Sequence, residues 1–321
     1  MARANKAPSR FATPGGLLRV LGTLIALALV VYLVAQQGWQ EIANAVARIE
    51  LWRFVVAILL TFISRVAVAR RWHVLLRSGG VDASWSQSLR ITFAGLFANN
   101  FLPTTVGGDV ARMAGALQVG FDATVSAASL VVDRLVGLLG FAFTLPIGLQ
   151  FLTSPSLQAA HAEPLTIMAA QTSWIARVTN IVRKISDRLF RAIRLWVSQP
   201  RALLNALFFT FIHMACLFST LYMFLLGMGE QQLSFWDVAG LQSLVYIFTL
   251  IPISISGWGL QELSISYAFT TLGHVDPAHS LVLALLLRTL YLLVSLPGAL
   301  FLSSVLPGMA KAQPLLTKLD G

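Results

Sequence analysis

The sequence predicts an all-α integral membrane protein, a polytopic transmembrane helix bundle with two broken or re-entrant helices. Its 321 residues are 57% hydrophobic and 11% charged, with a mean hydropathy of +0.76. Soluble domains are roughly 45–50% apolar and about 25% charged. Long apolar segments and a repeated helix-breaking pattern complete the evidence. We expect one membrane domain over residues 1–321, with no separate soluble catalytic domain.

The apolar segments indicate about eight hydrophobic spans, since roughly 20 helical residues cross a hydrocarbon core of about 30 Å. The expected spans lie near residues 16–36, 54–69, 89–106, 124–151, 202–226, 238–255, 260–273 and 279–306. The sequence leaves open whether the third and seventh segments cross the membrane or re-enter it. Cys216, the only cysteine, lies inside an apolar span and is expected to be a packing residue.

The basic residues indicate the orientation of the chain in the cell (inner) membrane. They gather at residues 3–19, 70–90, 177–201 and 311–318. The positive-inside bias assigns such clusters to the cytoplasm, so both tails, 1–15 and 307–321, are expected there. This distribution around apolar spans argues against nucleic acid as the partner of the +10 net charge.

Residues 175–200 have apolar side chains at helical spacing and a strongly basic opposite face. This pattern is typical of an amphipathic helix in the cytoplasmic headgroup layer, where basic residues attract anionic lipid. A positive topology anchor with no other role is the alternative. The sequence does not separate the two.

A helix-breaking stretch overlaps the end of the third apolar segment. Residues 99–112 read NNFLPTTVGGDVAR and contain Pro103, Gly107 and Gly108. In hydrocarbon every backbone N–H and C=O must be paired, so such a break is tolerated only inside protein or beside a wet cavity. Asp109 and Arg112 follow at a spacing that puts them on one helix face. The stretch predicts a cavity or a mouth, with an ordinary capped interfacial turn as the alternative.

The same pattern recurs in the second half of the chain. The stretch IPISISGWGLQE contains Pro252, Gly257, Gly259 and Glu262. Asp109 precedes an intramembrane Arg134 by 25 residues, and Glu262 precedes Arg288 by 26. We interpret residues 89–151 and 238–306 as the cores of an internal, inverted repeat. Broken helices at corresponding positions of two halves indicate a transporter binding site near the membrane midplane.

Arg134 and Arg288 are candidate ligands of an anionic headgroup. An arginine at the centre of a membrane helix usually faces a partner or a water-filled cavity, and its guanidinium suits phosphate. The alternative is that each arginine pairs with an acid, Asp109, Asp133 or Glu262, and holds the bundle together. Arg65 lies nearer the end of its expected span, and we expect it to reach the interface.

These residues carry a family resemblance. NNFLPTTVGGDVAR, VVDRLVGLLG and the IPISISGWGLQE break resemble the lysylphosphatidylglycerol synthase transmembrane family, which includes the flippase-like membrane half of the multiple peptide resistance factor. The similarity runs from about residue 72 to 306. The resemblance implies lipid transfer between leaflets. Besides the breaks at Pro103, Gly107, Gly108, Gly257 and Gly259, it implicates Asn99, Asn100, Asp109, Arg112, Asp133, Arg134, Glu262 and Arg288.

The resulting functional hypothesis is a flippase-like transporter of an anionic phospholipid or polyprenyl-phosphate-linked lipid. A scaffold for a partner lipid-modifying or glycosyl transferase is one alternative, and an integral membrane transferase is another. The histidines lack metal-site spacing and the sequence has no nucleotide-binding or serine-hydrolase motif, so we expect no enzyme activity, cofactor or metal. Fused members of the family carry a soluble aminoacyl transferase half, for which the short tail after Leu306 leaves no room, so the resemblance does not imply aminoacyl-lipid synthesis. Trp258, between Gly257 and Gly259, departs from the first break.

Overall fold

A computed structural model gives the fold and describes residues 24, 28, 30–32, 34–100, 107–152, 196, 198–249 and 258–302. The longer described segments are helical. In chain order the helices are α1 (Trp39–Ala47), α2 (Leu51–Ser78), α3 (Trp85–Asn99), α4 (Gly107–Gln118), α5 (Ala123–Leu152), α6 (Pro200–Met228), α7 (Phe235–Thr249), α8 (Leu260–Tyr267) and α9 (Pro277–Ser295). A π-helical turn, Ala268–Leu272, continues α8, and a 3₁₀ turn, Leu296–Gly298, follows α9.

Four of the described helices are long and apolar enough to cross a membrane: α2, α5, α6 and α9 with its extension to Leu302. They match the expected spans at 54–69, 124–151, 202–226 and 279–306. The expected spans at 89–106, 238–255 and 260–273 are instead the short helices α3, α7 and α8. A helix of 15 residues rises only about 22 Å, which is less than the hydrocarbon core. The structure therefore does not support eight spans.

Helices α3 and α4 form a hairpin, the first hairpin (residues 85–118), that starts and ends at the same end of the bundle. Phe121, just after α4, packs with Val81, just before α3. Nearby, the Trp196 indole donates hydrogen bonds to the Leu75 carbonyl and the Ser78 hydroxyl. We call this end the basic end, because it carries Arg70, Arg77, Arg90 and Arg201. A segment that returns to its starting face does not change sides, so the third expected segment re-enters at this end and is not one of the crossings.

Helices α7 and α8 with the π turn form a second hairpin (residues 235–272), which starts and ends at the opposite end. The loops that flank it touch there. Glu230 accepts a hydrogen bond from the backbone N–H of Asp276 at 3.2 Å and contacts His279 Nδ1 at 2.6 Å. Gln232 donates to the carbonyl of His274. We call this the acidic end, because it carries five carboxylates among the described residues, those of Glu41, Glu50, Glu230, Asp237 and Asp276. The two hairpins therefore enter the bundle from opposite ends.

Local sequence signals explain several helix boundaries. Ser84 and Gln87 form a reciprocal capping box at the start of α3. Asp276 caps α9 by accepting from two backbone N–H groups. Pro277 occupies the first turn, where a backbone N–H has no partner inside the helix, so the missing N–H of proline costs nothing. Gly229 ends α6 in the left-handed region, with a φ of 94°.

Each hairpin packs against the last long helix of the other half through a glycine. Gly148 of α5 lies against the backbone of Gly240 in α7, where a Cβ added to Gly240 would sit 2.6 Å from the Gly148 nitrogen. The Thr144 and Ser243 hydroxyls, 2.6 Å apart, join the same two helices. In the other half, Gly298 lies against the carbonyl of Phe93 in α3. Small residues allow this close backbone approach between membrane helices.

Several expectations fall outside the described residues. They include the helix breaks at Pro103, Pro252 and Gly257, the basic helix at 175–200, both tails and most of the first expected span.

Replacing Gly240 tests the contact between the second hairpin and α5. We expect Gly240→Ala to lower the melting temperature of the purified protein by several degrees, because the added methyl group would collide with the backbone of α5. Gly227→Ala is the control, since the three atoms nearest to its added Cβ belong to side chains and not to backbone: two of Arg53, the nearer at 3.0 Å, and one of Ile49 at 3.5 Å. Equal melting temperatures for the two variants would contradict the close contact.

Candidate functional site: a cavity between two hairpins

A cavity of about 350 Å³ lies where the ends of the two hairpins meet. The Trp258 indole, just before α8, donates a hydrogen bond to the carbonyl of Asn100, just after α3, at 3.3 Å. Long helices supply the rest of the wall. The polar and charged lining residues are Arg65, Asn99, Asn100, Arg134, His213, Gln242, Tyr246, Thr249, Gln261, Arg288, Tyr291 and Ser295.

A chain of ion pairs joins the first hairpin to the long helices beside it. Asp109 of α4 accepts a hydrogen bond from Arg134 Nε on α5. Its other oxygen lies 3.3 Å from Arg112 Nη1. The same Arg112 atom lies 3.1 Å from Asp133 Oδ2, and Arg71 Nε of α2 lies 2.6 Å from Asp133 Oδ1. Two carboxylates therefore share three guanidinium groups.

The deeper part of this chain is shielded from the cavity. The side chain of Asp133 is only 3% exposed, and both of its oxygens are paired. Arg112 lies over the Trp72 ring at 4.4 Å, and Arg71 also donates to the Thr210 hydroxyl. Packing on an aromatic face and against neighbouring hydroxyl groups is typical of a buried structural ion pair.

Arg134 differs from these residues because it lies on the cavity wall. Its side chain is 46% exposed, against 20% for its partner Asp109. A guanidinium group in this position can face the cavity while it remains paired to the hairpin.

The second hairpin has a simpler charge arrangement. Glu262 of α8 accepts from Arg288 Nε on α9, and Arg288 lies over the Trp258 ring at 4.9 Å. The other Glu262 oxygen is buried and has no hydrogen-bond partner among the described residues. Gly259, with a φ of 77°, sets the direction of the chain into α8. Trp258, which departs from the first break, thus stacks on Arg288 and links the two hairpins.

The two asparagines before the first break have different contacts. Asn99 Oδ1 accepts from the backbone N–H of Gly108 at 3.1 Å, which closes the hairpin. Asn100 Nδ2 donates to the hydroxyl of Ser295 on the other half. Gly108 allows a close helix contact here, because a Cβ would lie only 3.0 Å from the carbonyl oxygen of Gly95. Gly107 begins α4 and is buried.

The structure therefore separates the residues expected in the site into two groups. Those on the cavity wall are Asn99, Asn100, Arg134 and Arg288. Those that do not line the cavity but form the ion pairs next to it are Asp109, Arg112, Asp133 and Glu262. Each acid expected in the site is ion-paired with an arginine.

Sequence reasoning missed several polar residues of the wall. Arg65 lies near the midpoint of α2 and faces the cavity, so the expectation that it reaches the interface was wrong. The expected span began at residue 54, whereas the helix runs from 51 to 78, and the true bounds move Arg65 to the centre. Gln242, Tyr246 and His213 are single polar residues in apolar helices, and such residues are the available signal for a polar cavity.

The site can bind a compact anion. Guanidinium groups remain charged when buried and form bidentate hydrogen bonds to carboxylate or phosphate oxygens. Two of the arginines on the wall already hold carboxylates of this chain. A phosphate group of a ligand also presents anionic oxygen acceptors and can compete for the same donors.

The ion pairs of the two halves predict different responses to the loss of an arginine. Arg134→Gln leaves Asp109 paired to Arg112, so we expect a small change in melting temperature. Arg288→Gln strands the buried Glu262, which typically costs about 3–5 kcal/mol, so the variant should lose most of its thermal stability. Adding Glu262→Gln to Arg288→Gln should restore it. Equal melting temperatures for the two single variants, measured in detergent, would contradict this asymmetry.

A comparison with protein families agrees with the resemblance of the sequence motifs. The family described as the lysylphosphatidylglycerol synthase TM region matches residues 19–298, which include both hairpins and all four long helices up to residue 298. A comparison with curated proteins gave no match. The chain belongs to the lysylphosphatidylglycerol synthase transmembrane family.

Proposed function

We propose that this protein moves a lipid with an anionic, phosphate-bearing headgroup between the two leaflets of the cell membrane. The observation that carries the proposal is the cavity of about 350 Å³ between two hairpins that enter from opposite ends. Family membership supports a role in lipid handling. A cavity of this size is at the lower end of the range for ligand pockets, so it would hold the headgroup while the acyl chains remain in the bilayer.

The charge balance around the cavity favours an anionic ligand. Among the described residues, the cavity and the ion-pair chain behind it contain five arginines and three carboxylates. The arginines are Arg65, Arg71, Arg112, Arg134 and Arg288, and the acids are Asp109, Asp133 and Glu262. Excess positive charge in a low-dielectric region is unfavourable unless an anion offsets it. A phosphate headgroup would supply that charge.

The proposal treats residues 51–152 and 200–302 as two inverted structural repeats. Each has a long helix, a hairpin and a second long helix in the same order. The acid on the second helix of each hairpin pairs with an arginine on the next long helix. The glycine contacts of Gly148 and Gly298 with the opposite hairpin also correspond. Inverted repeats around a midplane site provide two related conformations, each open to one side.

In this mechanism each ion pair helps to close one side of the cavity. Asp109 and Arg134 hold the first hairpin against α5, and Glu262 and Arg288 hold the second against α9. A lipid phosphate that takes the place of one carboxylate would release that hairpin. The opposite pair would stay intact, so only one side would open at a time.

The proposal assigns the basic end to the cytoplasm. Among described residues this end has Arg70, Arg77, Arg90 and Arg201, whereas the acidic end has only Arg48 and Arg53 beside five carboxylates. The positive-inside bias depends on this Lys and Arg count. Trp39, Trp52 and Trp236 are exposed at the acidic end and are suited to an aromatic belt at the outer interface.

We propose transport rather than catalysis for this cavity. A general base must be free to take a proton. Arginines pair with Asp109, with Asp133 and with one oxygen of Glu262, and the second Glu262 oxygen is buried. The proposed partners are accordingly membrane lipids, and the proposed action forms no covalent bond.

Reconstitution tests this function. Vesicles would contain the purified chain and a trace of acyl-labelled phosphatidylglycerol, and a membrane-impermeant reductant would report the fraction of probe exposed outside. We expect the wild-type protein to expose nearly all of the probe, and Arg134→Gln to slow the exchange about tenfold or more, because the cavity loses a charged ligand contact.

Arg70→Gln is the matched control. Arg70 is also on a long helix and stacks on an aromatic ring, that of Trp85, but it does not line the cavity. It should leave the exchange rate unchanged. A wild-type protein that leaves the inner-leaflet probe protected, as empty vesicles do, would contradict transport. Retention of a partner transferase by that inactive protein would favour the scaffold function instead.

A further inference from the structure

Arg65 has an environment unlike that of the other arginines around the cavity. It lies near the midpoint of α2, on the cavity wall, with its guanidinium carbon 4.1 Å from the centre of the Tyr291 ring. Within the described part of the chain it makes no ion pair and no hydrogen bond. Among the described residues, no carboxylate therefore matches its charge.

The other four arginines are each paired. Arg71 and Arg112 contact Asp133, while Arg134 and Arg288 contact the hairpin acids. A ligand must displace a carboxylate to bind Arg134 or Arg288 through its paired edge. It displaces nothing to bind Arg65. The Tyr291 ring covers one face of the Arg65 guanidinium, and the N–H donors in the plane of the group remain able to form a bidentate contact.

A second polar group in the cavity also has no partner. Gln242 of α7 lines the cavity and is 5% exposed, and its Oε1 atom is buried with no hydrogen bond to any described residue. A buried acceptor without a partner is uncommon in native proteins. A hydroxyl or ammonium group of a bound headgroup would satisfy it.

We infer that Arg65 is the residue that anchors the headgroup, and that the substrate is a lipid phosphate ester whose headgroup also carries a hydrogen-bond donor for Gln242. The inference rests on the proposed function, because it names the ligand of the same cavity. Arg65 holds the phosphate in both conformations, while Arg134 and Arg288 exchange between their own acids and the ligand. Phosphoglycerol, phosphoethanolamine and phosphosugar headgroups belong to this class.

Binding to the full chain in detergent tests the inference. The probes are dihexanoyl phosphatidylglycerol, which has a phosphate and hydroxyl donors, dihexanoyl phosphatidylcholine, which has a phosphate and no donor, and inorganic phosphate. We expect phosphatidylglycerol to bind the wild-type protein most tightly. Arg65→Gln should weaken that binding about tenfold or more. Arg65→Lys should recover only part of it, because an ammonium group lacks the planar fork.

Thermal stability separates a binding role from a structural one. A structural arginine would destabilise the protein when removed. An uncompensated arginine retained for function should leave the melting temperature of Arg65→Gln equal to or above that of the wild type. Arg70→Gln, a charge loss five residues along the same helix, should leave binding unchanged. Gln242→Leu should reduce the preference for phosphatidylglycerol over phosphatidylcholine while keeping the Arg65 dependence.

Any of three results of the binding experiment would overturn the inference: equal phosphatidylglycerol binding by Arg65→Gln and wild type, equal losses in Arg65→Gln and Arg70→Gln, or tighter binding of inorganic phosphate than of the lipid probe. The last would indicate a site for a free anion.

The vesicle assay keeps the two proposals distinct. Wild-type exchange in Arg65→Gln would refute the anchor and leave transport intact. Arg65-dependent binding without any exchange by the wild type would refute transport and retain the anchor.

Discussion

Each hairpin is held in the bundle by a carboxylate on its second helix that pairs with an arginine on the next long helix. The pairs are Asp109 with Arg134, and Glu262 with Arg288. A short helix that does not span the bilayer needs such an attachment, because its broken end exposes backbone groups that hydrocarbon cannot satisfy. Where the two broken ends meet, the chain forms a polar cavity, and the ion pairs place two guanidinium groups on its wall. Thus the groups that hold the hairpins are also groups suited to bind an anion.

The two hairpins differ in the number of ion pairs that connect the described residues around them. Two acids and three arginines form one connected chain of ion pairs between the first hairpin and the long helices beside it. The loss of any single arginine therefore leaves Asp109 with a partner. Among the described residues, one ion pair of an acid in the site holds the second hairpin, supported by the stacking of Arg288 on Trp258 and by the hydrogen bond from Trp258 to Asn100. In a transport cycle that separates one hairpin at a time, this difference would make the second hairpin the easier of the two to release.

Sequence periodicity and spacing predicted a large part of this arrangement. The matching separations of Asp109 from Arg134 and of Glu262 from Arg288 correspond to the ion pairs in the structure. The four long helices were predicted from apolar length. The short helices were overestimated as spans because hydropathy does not report where a helix breaks and returns. Arg65 was missed because its depth depends on helix bounds, and its cavity-facing position depends on the packing of α2 against distant helices.

The most direct test of the account is the side of the membrane from which each hairpin enters. Single cysteines would replace Val119, in the exposed turn after the first hairpin, and Gln231, in the exposed turn before the second. The background would be Cys216→Ser, which removes the chain's only cysteine. A membrane-impermeant maleimide added to sealed vesicles of one orientation should label position 119 from the cytoplasmic side alone and position 231 from the opposite side alone. Labelling of both positions from the same side would contradict hairpins that enter from opposite faces to form one cavity.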